Sequence, residues 1–331
     1  MNELTPRMRA AHEAVVAAAM VCRGVQTGLG GPERIGKADG SPVTIADFAA
    51  QAVANIVLAK HLGAIRMVGE ESSAYLRKPD NGAVRDACLA AARVAMPSLT
   101  EAELLDAIDL GSGAGDGSST YWTIDPIDGT KGFIHGRHYS VCLALVERGV
   151  AVASAIACPT LGLDVRGAVD LIDHAGSVYL AERGRGLASG RCESGAGVAA
   201  FVREGPASAL LSESYHGEHS DKGITAQILR TLALTTPGLR IDSQCKYVLA
   251  ARGSTSGYFR IQRRHDAEYH VWDHVAGLLL CEEAGLKTSD LRGRPLDCSS
   301  PPDLRGNVGV VAAEPAMWER IVSAGKDCLA G

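Results

Sequence analysis

The stretch from Tyr139 to Pro159, YSVCLALVERGVAVASAIACP, constrains the fold more than any other part of the chain. Two apolar runs flank Glu147-Arg148-Gly149, a pattern that predicts a hairpin of core strands. Core strands need covering layers, and helical patterns lie on both sides of the hairpin in sequence. Thr5-Pro6 supplies an N-cap and a first-turn proline, after which Met8, Ala11, Val15, Ala18, Cys22 and Val25 recur at helical spacing. Thr44-Ile45-Ala46-Asp47 opens a second helix with a T-x-x-D cap, apolar through to Leu62. AIRMVGEES reads as a short buried strand. GSVYLAERGRG adds a strand and turn after the hairpin, and further strands are read at 209–213, in GYFRIQ and in NVGVVAAE. LRIDSQCKYVLAARG reads as strand then helix, and helices are read at about 221–235, at 271–284 and from Pro315. Interleaved strands and helices, joined by hairpins as well as crossovers, predict an α/β layered sandwich with mixed sheets. The less patterned stretch from Ser73 to Ser119 is expected to be a surface insertion with one helical piece near 83–95. A weak subdomain boundary is expected near 159–176, dividing residues 1–165, with most of the acidic candidates, from 166–331, within one structural unit.

Bulk properties narrow the function classes. At 331 residues, 46% hydrophobic and 21% charged, the chain has ordinary globular usage and ample length for a full core. The net charge of −5, with no basic stripe, argues against nucleic acid as the partner and leaves room for a small anionic ligand. Cys22, Cys88, Cys142, Cys158, Cys192, Cys245, Cys281, Cys298 and Cys328 are dispersed, odd in number and never spaced C-x-x-C. That pattern writes neither a disulfide framework nor a zinc site, and it fits a reducing, cytoplasmic setting. Charges interrupt the alanine-rich N-terminus, so neither a signal peptide nor a membrane span is read there.

The chemistry concentrates in YWTIDPIDGTKGFIHG, where Asp125 and Asp128 stand on either side of Pro126 and Ile127. Two anions this close repel unless a cation sits between them. Pro126 stiffens the loop and Ile127 offers a carbonyl oxygen, so the segment reads as a preformed hard-cation cradle; oxygen-only ligands point to Mg²⁺. Gly129-Thr130-Lys131-Gly132 begins a helix or turn whose N–H groups can face an anion, most simply a phosphate. The implied reaction is hydrolysis of a phosphate ester by an activated water. Asp47, Glu70 and Asp273 also end predicted elements. Each has a plainer reading: a capping-box acid, a solvated strand end, and an acid in a first helical turn.

DPIDGT, with GEE upstream and WDHVAG at Trp272–Gly277, resembles the lithium-sensitive, magnesium-dependent phosphatase family that includes inositol monophosphatase and fructose-1,6-bisphosphatase. SPVTIADFAAQ, VGEESS, GTKGF, ACP and DSQCKY sharpen the likeness toward its 3'(2'),5'-bisphosphate nucleotidase branch, over residues 36–312. The resemblance implies an inositol monophosphatase-like α-β-α-β-α sandwich. It implies two or three Mg²⁺ held by Glu70, Asp125, Asp128, Asp273 and the Ile127 carbonyl. Asp47 with Thr130, and Glu70, would orient and deprotonate the attacking water, while Asp128, Gly129, Thr130, His219, Ser243, Lys246 and Arg260 would line the substrate pocket. Lys246 and Arg260 could equally be surface charges. The implied activity is removal of the 3'-phosphate of adenosine 3',5'-bisphosphate by a monomer or homodimer, with inositol or sugar phosphates as alternative substrates. The segment between Glu71 and Asp125 is shorter than in many nucleotidases, and Arg263–His270 has no clear counterpart. A non-catalytic regulator on this fold would be expected to have lost one of these acids or the hydroxyl, and all are present.

Overall fold

The computed structural model describes residues 3–28, 35–36, 42–112, 120–205, 210–215, 221–234, 237–261, 269–304 and 306–330. α1 (Pro6–Gly28) starts behind Thr5, whose hydroxyl accepts the Met8 N–H at 3.4 Å, and it buries the apolar set read from the sequence. The two-residue strands β1 (Ile35–Gly36) and β2 (Pro42–Val43) pair antiparallel ahead of α2 (Ile45–Leu62). Thr44 and Asp47 close a capping box at the start of α2. Next come β3 (Met67–Gly69), α3 (Gly82–Ala92), α4 (Glu101–Asp109), β4 (Thr120–Asp128) and the short α5 (Thr130–Ile134). A meander follows: β5 (Ser140–Glu147), β6 (Val150–Cys158), β7 (Ser177–Glu182), β8 (Gly186–Arg191) and β9 (Val198–Phe201). The remainder is β10 (Leu211–Glu213), α6 (Lys222–Thr231), β11 (Leu239–Arg240), α7 (Cys245–Ala251), β12 (Gly257–Arg260), α8 (Val275–Glu283), β13 (Lys287–Ser289), β14 (Val310–Ala313) and α9 (Pro315–Ala330).

Strands β3 to β9 form one sheet in chain order, with β3 parallel to β4 and every later neighbour antiparallel. A second sheet has the order β11-β10-β12-β14-β13; β10 runs parallel to β11 and β12, whereas β14 is antiparallel to β12 and β13. The strand period of two divides the core into layers. Val141, Leu143 and Leu145 of β5 pack with α1 and α2, while Cys142, Ala144 and Val146 face α7 and α8. On the second sheet Val310 and Ala312 join that middle layer, whereas Val311 and Ala313 face α9 and the core it shares with α6. The order is thus α1/α2, sheet, α7/α8, sheet, α6/α9. Burial on both faces explains why the hairpin strands are continuously apolar rather than alternating.

Three expectations meet a different structure. The stretch from Ser73 to Ser119 is no mere surface insertion, because α4 buries Leu104, Leu105 and Ile108 and packs on α2, as α3 does. Its nine residues offer too short a window for the apolar period to register, although Thr100 and Glu103 form a capping box. The Gly/Ser run at 113–119 lies outside the described residues. The helix expected from 271 begins instead as a 3-10 turn, Val271–Asp273, with α8 following after a break at His274. The first sheet runs on past residue 165 through the β6/β7 pairing, so the change of sheet falls between Phe201 and Leu211. Among the described residues no helix is long and apolar enough to cross a membrane.

Because Leu104 is fully buried, Leu104→Ala is expected to cost about 2–5 kcal/mol in chemical denaturation. A near-zero cost would return α4 to the surface.

Candidate active site

β4 ends in the paired acids. Asp125 pairs with Cys142 and Asp128 with Ser140, and the register shifts between them, because Pro126 has no N–H to give the ladder. The Ile127 N–H turns back to donate to Asp125 Oδ1 at 3.1 Å, and the Thr130 hydroxyl donates to the Ile127 carbonyl at 3.1 Å. Gly129 lies in the left-handed region, φ 87°, with Ser243 so near that a Cβ would come within 2.9 Å of the serine Cβ. Only glycine permits that approach. Ser243 is itself left-handed at φ 68°, and its hydroxyl accepts the Cys245 N–H at 3.2 Å. The contact brings the Gln244 N–H onto Asp128 Oδ2, where it donates a short hydrogen bond.

Glu70 follows β3, the parallel neighbour of β4, and its N–H donates to the Ile124 carbonyl at 3.3 Å. Its direction is set from behind by buried Gln51. The Gln51 amide donates to the Glu71 carbonyl at 2.7 Å and to the Ile108 carbonyl at 3.1 Å, and accepts the Glu71 N–H at 3.0 Å. Asp273 occupies the 3-10 turn, accepting the His270 N–H at 3.2 Å.

These acids share one electrostatic neighbourhood. Burial pushes Asp125 well above the usual carboxylate range, and Glu70, Asp128 and Asp273 push it further; Asp125 and Glu70 also share a hydrogen bond. Asp128 is pushed up to about 6 by burial and Asp273, while Lys246, the Gln244 N–H and Arg260 pull it down. Lys246 is buried with Nζ 5.5 Å from the Tyr258 ring centre, and the Arg260 guanidinium lies 5.3 Å from that of Tyr269. The aromatic rings hold the two cations facing the acids.

The structure therefore brings together Glu70, Asp125, Asp128, Asp273, Lys246 and Arg260, with Ser243 packed on Gly129. Asp47 is buried, and its Oδ2 takes both the N–H and the hydroxyl of Thr44 at 2.8 Å each. It acts on Cys22, whose Sγ lies 3.9 Å from the Pro126 carbonyl, so it sits behind the acidic loop. The described hydrogen bond of Thr130 goes to Ile127. His219 and residues 263–268 lie outside the described residues. Gln51 and Gln244 went unnoticed in the sequence; Gln51 could have been found as the one long polar side chain in IADFAAQAVA.

Among the described residues no three acidic, thiol or imidazole side chains close around a point as a cage would. The donor set still fits a hard cation. Every candidate ligand is an oxygen, and the buried acids repel one another, a repulsion that a divalent ion would relieve. Adding Mg²⁺ is expected to raise the melting temperature. Asp128→Asn removes one repelling charge, so it should raise the melting temperature of metal-free protein and shrink the Mg²⁺-induced gain. An undiminished gain would take Asp128 out of the metal site.

The model of the inositol monophosphatase family matches residues 4–329. A 3'(2'),5'-bisphosphate nucleotidase of Emericella nidulans is 36% identical over 320 residues, covering 89% of this chain and 90% of its own. Its counterpart in Schizosaccharomyces pombe is 35% identical over 308 residues, with 87% and 84% covered. Among solved structures, the extragenic suppressor protein suhB of Bartonella henselae superposes with a TM-score of 0.64 at 18% identity, over 97% of this chain and 99% of that one, a likeness of fold. With the layered architecture, the clustered acids and a match across nearly its whole length, this chain belongs to the inositol monophosphatase family.

Proposed function

We propose that the chain is a Mg²⁺-dependent phosphomonoesterase. It would hydrolyse the 3'-phosphate of adenosine 3',5'-bisphosphate, or a related nucleoside bisphosphate, to the 5'-monophosphate and phosphate. The observation that carries this reading is the clustering of Glu70, Asp125, Asp128 and Asp273, with Lys246 and Arg260 close enough to act on Asp128. Acids alone would suit a cation store, whereas acids opposed by two fixed cations suit a metal-bridged anion carrying a second negative group. The similarity to named bisphosphate nucleotidases supports the same substrate class. A reducing, cytoplasmic setting belongs to the same reading.

In this mechanism Glu70, Asp125, Asp128, Asp273 and the Ile127 carbonyl would hold two or three ions. When bound, those ions supply positive charge to the phosphoryl oxygens and acidify the attacking water. The chain's own groups do the rest. Asp47 is assigned as proton acceptor and Thr130 as the hydroxyl that orients the water, with Glu70 assisting. Engagement of the Ile127 carbonyl would compete with the Thr130 bond at 3.1 Å and release that hydroxyl for another partner. Gly129 and Thr130 begin α5 beside the reacting phosphate. Ser243, Lys246, Arg260 and His219 hold the part of the substrate that does not react.

A panel of adenosine 3',5'-bisphosphate, inositol 1-phosphate and fructose 1,6-bisphosphate, read as phosphate release with Mg²⁺, tests the assignment. The nucleotide should have the highest kcat/KM. A preference for inositol phosphate would keep the chemistry and discard the substrate. Lys246→Ala should raise KM for the nucleotide about ten- to a hundredfold, the worth of a charge-assisted bond in a partly desolvated pocket. A small phosphomonoester lacking the base and second phosphate should be hydrolysed almost as before. Li⁺ is expected to inhibit by competing for one Mg²⁺ position, with little relief from added substrate.

A further inference from the structure

The acidic cluster hangs from two separate supports. Glu70, Asp125 and Asp128 belong to the end of the first sheet, whereas Asp273 belongs to the 3-10 turn ahead of α8. Gln244 is bonded to both. Its backbone N–H donates to Asp128 Oδ2. Its side-chain Nε2 donates to the Trp272 carbonyl at 2.8 Å, and its Oε1 accepts the Gly277 N–H at 2.8 Å.

Those last two bonds fall where the backbone cannot satisfy itself. Gly277 is in the first turn of α8, whose N–H groups have no carbonyl one turn back, and His274 gives that helix no side-chain cap. The Gln244 amide supplies the cap from another helix. Through Trp272 it also holds the residue directly before Asp273. Using one donor and one acceptor fixes the orientation of the amide, since a flip would oppose like poles at both ends. Gln244 is 1% exposed, so water cannot readily take its place.

We propose that Gln244 is a positioning residue that sets the spacing between the two halves of the carboxylate cluster, and thereby the affinity of the site for Mg²⁺. This rests on the Mg²⁺ reading given above, and it adds a residue that touches neither the ion nor the substrate through its side chain.

Gln244→Met keeps length and burial but removes both side-chain bonds. Asn55→Ala is the control, since it removes a buried amide bond of the same kind, to the Ala107 carbonyl at 2.9 Å, between α2 and α4. Melting temperature is followed against MgCl₂ for wild type and both variants, alongside the Mg²⁺ dependence of turnover. Both variants should melt lower without metal, but only Gln244→Met should need more Mg²⁺, about ten- to a hundredfold at the midpoint, as is typical for groups that orient metal ligands. Turnover should recover at high Mg²⁺ with KM for the nucleotide little changed. An unmoved midpoint in Gln244→Met, or an equal shift in Asn55→Ala, overturns the proposal. A wild type indifferent to Mg²⁺ overturns the metal reading itself, and the proposal with it. Should Gln244→Met fail to fold, hydrogen exchange on wild type decides: saturating Mg²⁺ should slow exchange of the Gly277 amide more than that of the α4 amides, and equal protection refutes the coupling.

Discussion

Carboxylates crowded together and buried are the constraint to which the rest of the structure answers. Burial and mutual repulsion both disfavour the charged forms, and the hydrogen bond between Glu70 and Asp125 is one way the folded chain relieves them. The others are visible around Asp128, where an ammonium, a guanidinium and a peptide N–H all lower the cost of its charge. Such an arrangement stores destabilisation at the site, and the surrounding layers have to supply the stability that holds it. Here that stability comes from three contiguous apolar cores between five layers.

The layers also explain where the cluster can form. β3 ends opposite Ile124 of its parallel neighbour β4, which puts Glu70 beside the Asp125–Asp128 segment. The middle layer of α7 and α8 then brings Lys246 and Asp273 to the same point, and β12 of the second sheet adds Arg260 at its end. No single element contributes more than two of the charged groups that meet there. A site assembled this way depends on packing between elements, so its geometry is sensitive to contacts such as Gly129 on Ser243.

How much of this was legible in the sequence depended on whether the relevant interaction was local. The Thr44–Asp47 cap and the tight turn at Arg148-Gly149 each involve residues within a few positions, and each could be read directly, whereas the segment carrying Asp125 and Asp128 was read as a loop and is the end of strand β4. The doubly buried strands were legible as well, because burial on two faces leaves an unbroken apolar run. The core role of α4 was not, since two turns of helix carry too little periodicity. The same holds for Gln244, whose side-chain partners are backbone groups far along the chain that leave no mark on composition, whereas Gln51 at least stands out as a long polar side chain in an apolar helix. Asp273 was read in the first turn of a helix and stands instead in a 3-10 turn. The break between the 3-10 turn and α8 is held by a tertiary cap rather than by a local one.

Asp47 shows how one local signal can carry two meanings. The capping box was a sufficient explanation for an acid at that position, and the structure contains that box, with one carboxylate oxygen committed to two Thr44 donors. Capping and the proposed role as proton acceptor do not exclude each other. An acid held by one oxygen cannot rotate freely, so the direction of its second oxygen follows from the start of α2. Without the Thr44 bonds the same acid would keep more rotamer freedom and would lose more entropy on meeting a water. The position behind the Pro126 carbonyl, close to Cys22, places this anchored group against the very loop that carries Asp125, Asp128 and Thr130. The helix start would thus help to aim the proposed base.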